Sequence, residues 1–178
     1  MQIGDMWATH HGAAPDIATC SAGPSSVDVE HDRNGLEVLD RAACFGLLGT
    51  VPVGRVGLSM AALPVVLPVN FVLCRPPWQT DAVVMIRSGE GSKVDAALAQ
   101  HVVAFEIDGF DAVARSGWSV IVQGLTRVLV DDEEIAWAEA LPLESWANAS
   151  ADSFIELSTD VVRGRRFRSR AAPVGSFA

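Results

Sequence analysis

Met85-Ile-Arg-Ser-Gly-Glu-Gly-Ser-Lys93 is the most informative segment of the chain. An apolar strand over Ala82 to Arg87 ends on an arginine, a glycine and serine turn follows from Ser88 to Ser92, and a short helix over Lys93 to Gln100 opens on the only lysine of the chain. Phosphate recognition uses such an assembly. The free N–H groups and positive end of a helix face the anion, glycines let the backbone approach, and fixed cations complete the neutralisation. Arg87 offers a planar fork of donors and Lys93 a point charge. An exposed turn with two solvated cations accounts for the same residues equally well. The spacing is not that of a P-loop, because GxxxxGK[ST] is absent.

Outward from this loop the pattern is mostly of strands. Val53 to Ser59, Pro64 to Leu73, Val102 to Asp108, Trp118 to Val130, Phe154 to Ser158 and Val161 to Phe167 read as strands, with turns at Met60-Ala-Ala62 and at Gly109 to Gly117. Gly124 reads as a bulge within the longest of them. Asn34 and Glu37 form a capping-box pattern, and Leu36, Leu39, Ala43 and Leu47 follow at helical spacing up to a stop at Gly49. Asp131, Asp132, Glu133 and Glu134 place four carboxylates where a second helix should start, running to about Leu141. Many short strands with small helices between them predict a mainly β protein, a closed antiparallel barrel. Residues 1–32 lack periodicity and read as an extension, 33–168 as one domain and 169–178 as a tail.

Composition narrows the partners. The 178 residues carry a formal net charge of -9, so attraction to nucleic acid or to an anionic membrane is not expected. Five of the twelve arginines lie between Arg163 and Arg170, a local basic segment inside an acidic chain. Cys20, Cys44 and Cys74 stand far apart, which argues against a disulfide framework and for a reducing compartment. The apolar run Val56 to Leu73 is broken by Pro64 and Pro68 and reads as a hairpin rather than a membrane span. No charged and then apolar leader is seen, and a cytoplasmic protein is expected. His31 and His101 belong to no metal motif, and Ser119 lies in Trp-Ser-Val rather than a GxSxG elbow.

Taken in order, six stretches resemble one family. Val51-Pro-Val-Gly-Arg-Val56 is similar to its first strand, Leu63-Pro-Val-Val-Leu-Pro-Val-Asn-Phe71 to its second and Val83 to Lys93 to its phosphate loop. Val103 to Asp108, Gly117 to Gly124 and Gly164 to Phe167 also match. The family is that of the pyridoxamine 5'-phosphate oxidase-like proteins of actinobacterial type, FMN-binding split barrels related to the nitroimidazole-resistance proteins. The resemblance implies a split β-barrel and a homodimer with cofactor at the subunit interface. It carries Arg87, Ser88 and Lys93 over as phosphate contacts, with Ser92 nearby. Val69, Asn70 and Phe71 would lie along the flavin ring, and Trp118 and Ser119 would form the facing wall from the other subunit. Met60-Ala-Ala62 departs from the family's usual Asp-Gly turn, so a longer or differently shaped hairpin is expected.

The function implied is that of an oxidoreductase using FMN, with a deazaflavin coenzyme, FAD or haem as alternatives. The ring would carry the hydride while the protein orients it, so no catalytic acid or base is named. Oxidation of pyridoxamine phosphate itself is not expected, because the chain is short where the resembling enzymes hold that substrate. A carrier that binds flavin or haem without turnover is the alternative class.

Overall fold

The computed structural model describes residues 29–60, 62–88, 101–143 and 153–168. Within them lie eight strands: β1 (Glu37–Leu39), β2 (Val53–Met60), β3 (Leu63–Cys74), β4 (Val83–Ser88), β5 (Val102–Asp111), β6 (Ser116–Val128), β7 (Ser153–Ser158) and β8 (Val161–Arg168). Two helices accompany them, α1 (Arg41–Leu48) and α2 (Asp132–Glu139). The strands run β1-β8-β6-β5-β2-β3-β4-β7, and β7 pairs back onto β6. Six antiparallel strands thus close a barrel, and β8 and β1 extend it past β6.

Alternation along the strands sets the core. Val56 and Leu58 of β2, Val103, Phe105 and Ile107 of β5, and Val120 and Val122 of β6 all turn inward and are buried. Phe71 meets Phe105 edge to face at 4.7 Å inside the barrel. A second, smaller core lies outside the wall formed by β4 and β7, where Val83, Met85 and Phe154 pack against Ala138 and Leu143. The Arg75-Pro-Pro-Trp78 loop joins this layer, with the Trp78 ring edge-on to Trp137 of α2 at 5.1 Å.

The strand expectations hold in order, and three local readings need correction. The first helix does not begin near Asn34. Residues 37–39 pair with β8, and the helix starts after Asp40, whose side chain accepts from the Ala43 N–H at 2.7 Å. Gly49 does cap that helix. Gly124 is not in a bulge, since the β5–β6 register runs through it without a break. It stands where β6 stops pairing with β8 and begins to pair with β7, and a Cβ there would strike the Ser158 carbonyl oxygen. The β2–β3 hairpin is not longer than the usual two residues: Met60 pairs directly with Leu63. Ala62 takes φ 65° to make that turn, a left-handed conformation normally left to glycine or asparagine.

Asp32 ties residues 29–36 to the sheet extension. It accepts from the backbone N–H of Asn34 and Leu36 and pairs with Arg165 at 3.0 Å. The Leu36 amide above all, with the Arg165 cation and the Asn34 amide, holds its carboxyl below the ordinary carboxylate value against the opposing effect of burial. Residues 1–28 of the extension read over 1–32, and the tail 169–178, lie outside the described residues.

Candidate functional site

The site begins where two strands part. β3 pairs with β2 from Leu63 to Asn70, but with β4 only from Phe71 to Cys74. Beyond Ile86, β4 continues on β7 alone, with Arg87 opposite Phe154 and Ser88 opposite Ser153. The Phe71 N–H donates to the Pro52 carbonyl at 3.2 Å, which turns the backbone groups of odd-numbered residues of β3 toward β2. The even positions face the side that β4 has left. Pro64 and Pro68 occupy two of them, so no N–H is stranded there. These prolines, read from sequence as breakers of a membrane span, are the mark of a strand whose edge opens.

The fork brings Asn70 and Arg87 together. The register Phe71↔Ile86, continued by one residue, sets them side by side on the outer face. The Asn70 side-chain amide donates to the Pro52 carbonyl at 3.5 Å. The Arg87 guanidinium lies 5.4 Å from the centre of the Phe154 ring, and its Nη1 donates to the Leu143 carbonyl at 3.4 Å. Arg87 is therefore half-buried and held on two sides, which does not fit the solvated alternative left open by the sequence. Ser88 follows at the strand end, also half-buried. Ser92 and Lys93, with the helix read over Lys93 to Gln100, lie outside the described residues.

The other residues named from sequence divide. Val69 and Phe71 send their side chains into the barrel core, so only their backbone reaches the fork; Asn70 alone presents a side chain outward there. Trp118 lies over Gly109, whose missing side chain admits the indole; a Cβ would come within 2.8 Å of it. Around Trp118 is an open recess of about 320 Å³ that includes Phe110, Asp111, Phe167, Arg166 and Arg168. Arg166 is held there by Glu37 at 3.0 Å. Ser119 faces outward between Asp108 and Arg165 of the neighbouring strands.

The recess and the β7 side of the fork lie toward opposite ends of β6. Trp118 precedes Val128 by ten residues of β6, and Val128 pairs with Ile155, next to the partner of Arg87. Across the sheet the way is shorter: Ser119 pairs with Asp108 of β5, β5 pairs with β2, and Val53 of β2 pairs with Asn70.

The match to known proteins follows this architecture. The model of the pyridoxamine 5'-phosphate oxidase family matches residues 40–166. The chain belongs to that family. The uncharacterized protein Rv0080 of Mycobacterium tuberculosis is 36% identical over 133 residues, which are 72% of this chain and 83% of that protein. Among solved structures, the FAD binding protein from Mycobacterium smegmatis superposes with a TM-score of 0.61 at 29% identity, over 74% of this chain and 98% of its own. A conserved protein of unknown function from Corynebacterium diphtheriae gives a TM-score of 0.63, also at 29% identity and over 74% and 98% of the two chains. The fork between β3 and β4 thus lies within the matched residues of a family barrel.

Sequence reasoning missed one charged group altogether. Arg127 of β6 grips Glu134 of α2 and Glu156 of β7, each through two hydrogen bonds. The signal was present: an Arg and a Glu interrupt otherwise apolar strands, and each needs a partner where the outer core layer covers it. Near them the Cys74 thiol is pushed up to about 12 by burial and by the Glu156 charge, and so stays protonated and inert. Cys44 is likewise buried with a raised value. No helix of the described residues is long and apolar enough to cross a membrane.

Proposed function

We propose that the chain is a flavin- or deazaflavin-dependent oxidoreductase that binds its cofactor between two copies and passes hydride between the ring and a small molecule. The fork carries this reading: the strands of a family barrel part where a cation, an outward amide and an opening sheet edge meet. When bound, the ring supplies the hydride chemistry. The chain's own residues hold it. Arg87, with Ser88, Ser92 and Lys93, binds the phosphate. The β3 edge at Val69, Asn70 and Phe71 meets the ring through backbone groups and the Asn70 amide. FMN is the preferred cofactor, and a cytoplasmic setting fits the free thiols.

In this reading Trp118 and Ser119 act from the second copy, as the family resemblance implies. The face for that copy is the outer surface of β3, β2, β5, β6 and β8. One row across it runs Val66, Gly57, Ala104, Gln123 and Val161, flanked by Val102, Leu125 and Ile121. Val66 is 65% exposed and Val102 75%, a spread of apolar surface that monomers seldom leave open. Arg placed at Ala104, in the middle of this row, should convert a dimer of twice the 18.9 kDa chain mass into monomers. Light scattering decides it, and a wild-type chain that is already monomeric at micromolar concentration removes the interface.

A carrier that binds without turnover is the second reading, favoured by the relative described only as an FAD binding protein; a haem carrier is the related case. Reduced FMN-loaded protein mixed anaerobically with menadione separates the two. Reoxidation that rises and saturates with the quinone supports the enzyme, whereas a ring reoxidised by oxygen alone supports the carrier.

A further inference from the structure

The charged cluster around Arg127 lies on the same outer surface as Arg87, and the flavin reading makes no use of it. Arg127 Nη1 meets Glu134 Oε2 at 2.7 Å, and Nη2 meets Glu156 Oε2 at 2.8 Å. Trp78 Nε1 donates to the same Glu156 oxygen at 3.3 Å. Helix α2 is therefore fastened to the barrel twice, through Glu134 to Arg127 and through Trp137 to Trp78.

The chain leaving α2 stays folded against it. Ala140 N–H donates to the Trp137 carbonyl, Leu141 to Ala138 and Leu143 to Leu141. That turn ends on the Leu143 carbonyl, the acceptor for Arg87. Phe154 under the Arg87 guanidinium and Glu156 under Arg127 are two residues apart on β7, so they share one face at a spacing of roughly 7 Å. A continuous path of contacts leads from the ion pair to the cation at the fork.

We propose that the Arg127–Glu134 pair is a positioning device for Arg87. By fixing α2 it fixes the Leu143 carbonyl, which together with the Phe154 ring restricts how the guanidinium is presented to a phosphate. Arg127 and Glu134 touch no cofactor in this account; they act through Leu143. Their work is to order an arginine before binding instead of during it, and ordering one such side chain on binding weakens affinity about three- to ten-fold. The proposal rests on the reading of Arg87 as a phosphate ligand.

Apo Glu134→Gln protein titrated with FMN and with riboflavin, the same ring without phosphate, tests it. FMN affinity should fall about three- to ten-fold while riboflavin affinity stays unchanged, and in an Arg87→Ala background the substitution should do nothing further. A merely structural helix would lower both affinities together, add its effect to that of Arg87→Ala, or change neither; each of these overturns the positioning role. Glu134→Asp keeps the charge but draws it back by a methylene, and should show the same split in smaller measure. Its failure to do so in a folded protein, verified by circular dichroism, also counts against the device. If Arg87→Ala alone leaves the ratio of FMN to riboflavin affinity at the wild-type value, the phosphate reading itself has failed.

Discussion

Arg127→Ala is expected to lower the melting temperature by about 6–12 °C, the largest stability effect of any single change considered for this chain. The argument starts from Glu156. Its side chain is 8% exposed, and two of the hydrogen bonds on its carboxylate come from Arg127. Removing the cation leaves a buried carboxylate with the Trp78 N–H as its remaining partner in this cluster. Breaking a buried pair costs about 3–5 kcal/mol. The lower end applies, since the Arg127 side chain is 37% exposed and water softens the loss. The Glu134 and Glu156 carboxylates in turn raise the Arg127 value beyond its already high one, against the opposing effect of burial. Thermal unfolding followed by circular dichroism measures the change. Adding Glu156→Gln should recover part of the loss, because it removes the stranded charge. A shift of less than about 2 °C for Arg127→Ala would show that the cluster holds nothing.

The sequence made the barrel legible through alternation, and alternation fails where an element changes role. Leu36, Leu39, Ala43 and Leu47 fall at helical spacing, yet Leu39 reaches the core from a strand and Ala43 from a helix. Asp40, one residue later than Leu39, is where the backbone changes state, and an Asp between Leu39 and Arg41 does not by itself announce that. The β6 strand reads as one apolar run, but its first part pairs with β8 and its last with β7. Pattern alone shows which side chains turn inward, not which neighbour a strand has.

The site was legible to a similar degree. The Arg87 loop announced itself by its cations and glycines. The neighbourhood of Asn70 and Arg87 did not, because it depends on the register of β3 with β4 across the Pro76-Pro77 loop. Contacts of long sequence separation, such as Arg87 with Leu143, are hidden for the same reason. Phe71 was placed along the flavin ring by the resemblance, and its side chain proves to be part of the core with Phe105. The close Met60–Leu63 pairing was misjudged because Ala62 accepts a backbone conformation that its side chain disfavours.

Substitution of the two cations of the Arg87 to Lys93 segment should act on binding. A charge-assisted hydrogen bond contributes roughly 1.5–3 kcal/mol, so Arg87→Ala or Lys93→Ala should each weaken FMN binding about ten- to a hundred-fold. The two together should approach about a thousand-fold, short of the full product because both act on one anion. Arg87→Ala also gives up its contact with Phe154 and its hydrogen bond to Leu143, so the apo protein should lose about 1–2 kcal/mol of stability. That loss leaves a folded protein on which binding can be read. Lys93→Ala carries the complementary information, since it removes the other cation of the segment and keeps Arg87 in the chain.

The most direct measurement is the titration of apo wild-type, Arg87→Ala, Lys93→Ala and double-variant proteins with FMN and with a deazaflavin coenzyme, followed by ring fluorescence. The account predicts binding by the wild type, a ten- to hundred-fold loss in each single variant for at least one of the two ligands, and a larger loss in the double. Selective loss for one ligand names the cofactor class. Unchanged affinity for both ligands in a folded double variant would contradict the account and leave the Arg87 to Lys93 segment as a turn without a ligand.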